Sequence, residues 1–184
     1  MSVTDGWLAL PNSVRSPNAD QRPAGEEISL LVLHNISLPP GEFGGGHVHD
    51  FFTNSLRADS DPYFETIANL RVSAHLFVGR DGAVTQFVSF ADRAWHAGVS
   101  CFQGRERCND FSIGIELEGT DIDPYTDEQY RALISVTKSI RAEYPAITTA
   151  RIVGHADIAP GRKTDPGDSF DWYYFLSGLE GHPR

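Results

Sequence analysis

Residues 28–33 read Ile-Ser-Leu-Leu-Val-Leu, a short and almost continuous apolar run. It is too short for a helix and rich in strand formers, so it predicts a buried strand. Such a strand has to be covered by other layers of structure. It ends in His34 and Asn35, which delivers two polar side chains to the end of a buried element.

The rest of the chain supplies candidate neighbours. Residues 111–118 alternate, with Ile113, Ile115 and Leu117 on one face and Gly114, Glu116 and Glu118 on the other. Asp81-Gly82 lies between two strand-like segments, 72–78 and 83–90, and predicts a hairpin because glycine supplies a positive φ. Asp61 followed by Pro62 predicts a helix start, with Phe64, Ile67 and Ala68 as its apolar face and an end near Leu70. Thr126 with Gln129 has the spacing of a capping box, and Tyr130, Leu133, Ile134, Thr137, Ile140 and Tyr144 follow at helical spacing. A helix over 127–143 is therefore expected, then a brief strand at 151–154 that places His155, a loop over 156–169 and a last short helix from about Phe170. Pro39-Pro40-Gly41 and Gly44-Gly45-Gly46 bound a loop that reads either as a surface turn or as a cover that moves over a site. The expected fold is α/β: a mixed, mostly antiparallel central β-sheet flanked by helices. At 184 residues the chain suits a single domain, 1–184, with 1–27 as an irregular lead-in.

Composition narrows the partners. The formal net charge is -10, which argues against an electrostatic grip on nucleic acid or on an anionic membrane. No stretch approaches the roughly 20 apolar residues that span a bilayer. Residues 1–11 carry no Lys or Arg and only a four-residue apolar patch, Trp7–Leu10, so no secretory signal is expected and a cytoplasmic location is. Cys101 and Cys108 are not spaced as a redox pair and read as reduced thiols.

Polar groups of catalytic type concentrate at His34-Asn35, at Glu116, and in the segment 154–167, which holds His155, Lys163 and Asp165. Two histidines and a carboxylate make an open zinc site, whose fourth position takes water or substrate. A further carboxylate then moves the proton and a lysine neutralises a developing oxyanion. Spacing alone does not select these residues, since His34 and His155 are far apart and a single histidine is more often structural. His47, His49, His75, His96 and His182 compete with them, and His47-Val48-His49 on a strand would put both rings on one face. A thiol nucleophile, Cys101 or Cys108 with His96, is the weaker alternative to structural cysteines. There is no Gly-x-Ser-x-Gly elbow, phosphate-binding loop or dinucleotide fingerprint.

The blocks LLVLHNISLPPGEFGG, LRVSAH, RAWHAGVS, CNDFSIGIELEGTD and GHADIAPGRKTDPG are together far more specific. They resemble the AmpD-type N-acetylmuramoyl-L-alanine amidases, related to phage amidases and peptidoglycan-recognition domains, over nearly the whole chain. The resemblance implies a zinc hydrolase, with one zinc ion per chain on His34, His155 and Asp165. It implies Glu116 as catalytic acid/base and Lys163 as the group at the oxyanion. It implies Trp95 as a wall of the sugar site, Arg71 and Arg107 as receivers of the peptide's carboxylates, and Asn35 as an aid in holding substrate. Planar, bidentate guanidinium groups suit that carboxylate role. The implied reaction cleaves the amide between the lactyl group of 1,6-anhydro-N-acetylmuramic acid and L-alanine of the stem peptide. It would serve peptidoglycan recycling in the cytoplasm and, indirectly, restrain β-lactamase induction. The implied partner is this small anhydro-muropeptide, with no nucleic acid and no membrane, and the chain is expected to act as a monomer. The wider superfamily often places a tyrosine in the loop after the first strand; residues 41–50 have none, which puts weight on Glu116 and Lys163. The alternatives are a module that binds muropeptide without cleaving it and a lytic amidase acting on intact peptidoglycan.

Overall fold

The computed structural model describes residues 1–11 and 13–181, so His182 lies outside the described residues. Its centre is a five-stranded sheet. In chain order, Val3–Thr4 (β1), Trp7–Leu8 (β2) and Ala19–Gln21 (β3) precede the first long strand, Leu30–Ile36 (β4). Helices His47–Phe52 (α1) and Pro62–Ile67 (α2) follow, then strands Leu76–Val78 (β5), Val84–Gln86 (β6), Asp92–Ala94 (β7), Cys101–Phe102 (β8) and Arg105–Glu106 (β9). The second long strand is Ser112–Glu118 (β10), followed by helix Asp127–Glu143 (α3), strand Ile152–Gly154 (β11) and helices His155–Ile158 (α4) and Trp172–Leu179 (α5).

The sheet order is β11-β4-β10-β5-β6. β11, β4, β10 and β5 run parallel, and only the β5–β6 hairpin is antiparallel. The mixed sheet with flanking helices is as expected, but the mostly antiparallel sense is corrected: the sheet is mostly parallel. The Asp81-Gly82 turn is a local signal and shows in sequence. The parallel pairs are joined by long, irregular crossovers that leave no repeating strand–helix pattern. The apolar run is the mark of a parallel strand, and Leu30, Leu31, Val32 and Leu33 are all fully buried.

Side-chain alternation divides the molecule into two faces. Leu31, Leu33, Ile113, Ile115 and Leu117 meet Leu133, Val136 and Ile140 of α3 and Phe175 and Leu179 of α5 in one core. α3 occupies its expected range and begins with the capping box: Thr126 Oγ1 accepts the Gln129 N–H at 3.1 Å and Gln129 Oε1 accepts the Thr126 N–H at 3.1 Å. Gln129 also donates through Nε2 to the carbonyls of Val78 and Glu118, which fastens the ends of β5 and β10 to the helix. On the opposite face stand Leu30, Val32 and His34 of β4 and Ser112, Gly114 and Glu116 of β10. Two smaller cores cover that face, one built on Phe51, Phe52, Phe64, Phe77 and Phe87 and the other on Leu30, Val32, Cys108, Phe111 and Ile158.

Three further expectations are corrected. Residues 47–52 form α1, and helical geometry turns residues two apart to opposite sides. His47 accordingly rests against Phe64 while His49 lies between Phe77 and Phe87 with Nε2 3.1 Å from Thr85 Oγ1, so the two rings make no common site. The lead-in is not wholly irregular: β1 pairs with β2 and β3 with β7, in strands too short to leave a period in the sequence. The loop over 156–169 opens with one helical turn, α4. No helix among the described residues is long and apolar enough to cross a membrane.

Candidate active site and metal centre

The site lies where parallel strands end, as is usual for sheets of this sense. β4 and β10 pair with His34 directly opposite Glu116, and β11 leads straight into His155 at the first position of α4. The chain then returns through Lys163, Thr164 and Asp165, with the Asp165 carbonyl accepting the Ala156 N–H at 3.0 Å. His34, His155 and Asp165, spread over 131 positions, are thereby brought together and are all buried.

Their donor atoms converge. His34 Nδ1 lies 2.9 Å from His155 Nδ1 and 3.1 Å from Asp165 Oδ2, and His155 Nδ1 lies 3.0 Å from the same oxygen. The far nitrogens show what these atoms are. His155 Nε2 is 3.1 Å from the Ala97 carbonyl, which only accepts, and 3.4 Å from Arg162 Nη2; with Nε2 donating to the carbonyl, Nδ1 is left to present a lone pair. His34 Nε2 is 2.9 Å from His96 Nδ1, and His96 Nε2 is 3.2 Å from Ser112 Oγ. When the protons run from His34 to His96 to Ser112, His34 also presents a lone pair at Nδ1, as a metal ligand must. In that tautomer two imidazole nitrogens and a carboxylate oxygen face one another, a donor set that fits a divalent metal with an open fourth position.

The electrostatics agree. Burial presses the His34 pKa down to about 4, against the pull of Asp165, so the ring is neutral at pH 7 as a ligand must be. Burial alone would raise Asp165, but when the His155 and His34 rings turn N–H groups toward it they outweigh burial and hold the carboxyl well below its ordinary value, which marks this oxygen as a seat for positive charge. His96 is held neutral by burial and by the neighbouring His34. Its ring lies against the backbone of β10, where a Cβ on Gly114 would come within 2.5 Å of it.

Glu116 faces the same space. Its Oε2 is buried without a hydrogen-bond partner. Burial, and then the charge of Asp165, push its carboxyl well above the ordinary value, while Lys163 acts in the opposite direction. Lys163 is exposed and lines the cleft. The cleft has a volume of about 860 Å³ and also takes in Asn35, Trp95, His96, His155 and Asp165. Trp95 follows β7 and donates through Nε1 to Asp20 Oδ1 at 3.2 Å. The expected set is thus brought together except for two arginines. Arg71 is exposed and donates to the carbonyls of Ala68 and Leu70, and the cleft wall holds its neighbours Leu70 and Val72 rather than Arg71 itself. Arg107 is 71% exposed, pairs with Asp110 at 3.3 Å and also stands outside the wall.

Sequence reasoning did not single out several contributors. His96 was one competing histidine among several, and only the close approach to Gly114 gives it a place. Arg162 donates through Nη2 to the carbonyls of Ala97 and Val99, both at 2.7 Å, and so holds the loop whose carbonyl fixes His155. Tyr63, from α2, reaches the cleft wall although residues 41–50 contain no tyrosine. Cys108 is buried and Cys101 exposed, and neither lines the cleft.

The family model described as N-acetylmuramoyl-L-alanine amidase matches residues 24–168. The 1,6-anhydro-N-acetylmuramyl-L-alanine amidase AmpD of Citrobacter freundii is 58% identical over 175 residues, covering 95% of this chain and 93% of that protein. A crystal structure of an AmpD derivative superposes with a TM-score of 0.92 and 55% identity over the full length of both chains. The Escherichia coli amidase AmiD, solved in complex with anhydro-N-acetylmuramic acid-L-Ala-D-γ-Glu-L-Lys, superposes with a TM-score of 0.63 and 31% identity, covering 89% of this chain and 62% of that one.

Proposed function

This chain belongs to the N-acetylmuramoyl-L-alanine amidase family, and on that premise we propose that it hydrolyses the amide between the lactyl group of 1,6-anhydro-N-acetylmuramic acid and the L-alanine of a stem peptide. The observation that carries the reading is the convergence of His34 Nδ1, His155 Nδ1 and Asp165 Oδ2 beside an unpaired, buried Glu116 carboxylate oxygen. A module that only binds muropeptide has no use for that costly unpaired group.

His34, His155 and Asp165 would hold a zinc ion, which would supply Lewis-acid chemistry at the scissile carbonyl and at water. The chain's own residues do the rest. Glu116, with its raised proton affinity, is a stronger base than an ordinary carboxylate; it takes a proton from the attacking water and returns it to the leaving amine. Lys163 places an ammonium group against the oxyanion that develops on the carbonyl. Trp95 offers a flat apolar face to the sugar ring. Arg71 and Arg107, both exposed and outside the cleft wall, are the guanidinium groups offered to the carboxylates of the stem peptide. The substrate is small and soluble, and the cytoplasmic recycling of cell-wall fragments by a monomer is part of the same proposal. Its support is the near end-to-end match to AmpD.

Purified protein incubated with 1,6-anhydro-N-acetylmuramoyl-tripeptide, with and without a chelator, tests this. Release of free tripeptide and anhydro-sugar that the chelator stops, with intact sacculi left uncut, is the expected result. Intact substrate from zinc-loaded protein would refute it.

A further inference from the structure

Asn35 and Asp121 both line the cleft, and the resemblance gives Asn35 to the substrate. Its hydrogen bonds point elsewhere. Asn35 Nδ2 donates to Asp121 Oδ1 at 2.8 Å and to the Pro166 carbonyl at 3.2 Å, which uses both of its N–H groups within the protein. The other carboxylate oxygen of Asp121, Oδ2, accepts the Thr164 hydroxyl at 2.5 Å. The Asp121 carbonyl accepts the Ser169 N–H at 3.1 Å. Tyr125 adds its hydroxyl to the Pro166 carbonyl at 2.8 Å. The loop is pressed against Asp121: a Cβ on Gly167 would stand 2.1 Å from its Cα.

The residues on either side of Asp165 are therefore both tied to one pair. Thr164 is held by the Asp121 carboxylate, and Pro166 by the Asn35 amide, while Asn35 is itself braced on Asp121. Asn35 follows His34 in β4, so the same pair sets the carboxylate of Asp165 relative to the strand that carries His34. We infer that Asn35 and Asp121 act as one positioning clamp, which holds Asp165 against His34 and His155 for the metal. This rests on the metal-site reading above. Groups that orient metal ligands typically contribute 10–100-fold to metal affinity.

The test uses the full chain and zinc itself. Zinc affinity is measured by competition with a chelating dye for N35A, D121A, the double variant and D121N, alongside the melting temperature of the chelator-treated proteins and KM and kcat at saturating zinc. Each alanine variant is expected to weaken zinc binding about 10-fold or more. Because Asn35 is braced on Asp121, the double variant should lose less than the product of the two single losses, whereas independent sites multiply. D121N keeps one acceptor and gains a donor that the Thr164 hydroxyl can accept, so it should recover part of the loss. Normal zinc affinity with a raised KM in N35A would overturn the inference in favour of a substrate contact, and multiplying losses would overturn the clamp. Should D121A fail to fold, T164V removes one arm alone and must still weaken zinc binding. Failure of the amidase reading shows separately, as zinc-loaded wild-type protein that leaves the muropeptide intact.

Discussion

Glu116→Gln should remove activity and yet make the metal-free protein more stable at neutral pH. Oε2 of Glu116 is buried and unpaired, and burial followed by the charge of Asp165 raises its carboxyl well above the ordinary value. The native state then binds this proton more tightly than the unfolded chain does. Stability is therefore fully present below the unfolded value, near 4.5, and is lost as pH rises through the folded value. Each unit of the shift corresponds to about 1.36 kcal/mol. Leaving a buried acceptor unsatisfied costs about 1–3 kcal/mol by itself. Glutamine is neutral at every pH, and it can turn its amide nitrogen toward the cleft and leave its carbonyl oxygen at the dry position. The unpaired oxygen remains in E116Q, so the gain at pH 8 comes from the lost charge and is about 1.36 kcal/mol for each unit of the upward shift, a rise of about 3–5 °C in melting temperature per unit for a domain of this size. The assay is thermal or urea unfolding of wild type and E116Q in chelator at pH 8 and pH 5, with turnover measured on the zinc-loaded proteins. The stability gap should be wide at pH 8 and narrower at pH 5. A gap that does not change with pH, or an E116Q protein that is less stable at pH 8, would refute the claim that a carboxyl group of raised proton affinity is being carried for function.

Lys163→Ala should lower kcat by about 10²–10³-fold, the effect of removing one oxyanion donor, with zinc content by metal analysis unchanged. His96→Ala should weaken zinc binding about 10–100-fold in a chelator competition, because His34 loses the partner of its Nε2. Leu133→Ala, at a fully buried site between α3 and the sheet, should cost about 2–5 kcal/mol in urea unfolding while leaving zinc affinity intact.

What the sequence discloses about this fold divides along the range of the interactions involved. The capping box of α3, the Asp81-Gly82 hairpin and the two faces of β10 are set by neighbours a few residues apart, and they stand where expected. The direction of the sheet depends on crossovers of tens of residues and was misread. α1 escaped notice because it is one and a half turns long and starts after Gly46 with no side-chain cap. The lead-in hid Arg22, a half-buried charge held by five neighbours: it donates to the carbonyls of Phe90, Asn109, Asp110 and Ser112 and lies 3.1 Å from His75 Nε2. Nothing local marks such a residue as interior. The chemistry shows the same division. Spacing offered several histidines without choosing among them, and the family motifs chose. Neither points to Asp121, whose partners lie 86 and 43 residues away.

Gly114 gives the metal centre an unusual kind of rigidity. Most second-layer supports are side chains, which hop between rotamers and can drift as a core breathes. Here the His96 ring rests on a bare peptide plane in the middle strand of the sheet, and a peptide plane has no rotamers. The reach from β10 through His96 to His34 is therefore a thickness set by covalent geometry. A methyl group at this position adds to that thickness and has nowhere to go, so the smallest substitution the genetic code offers here is already too large.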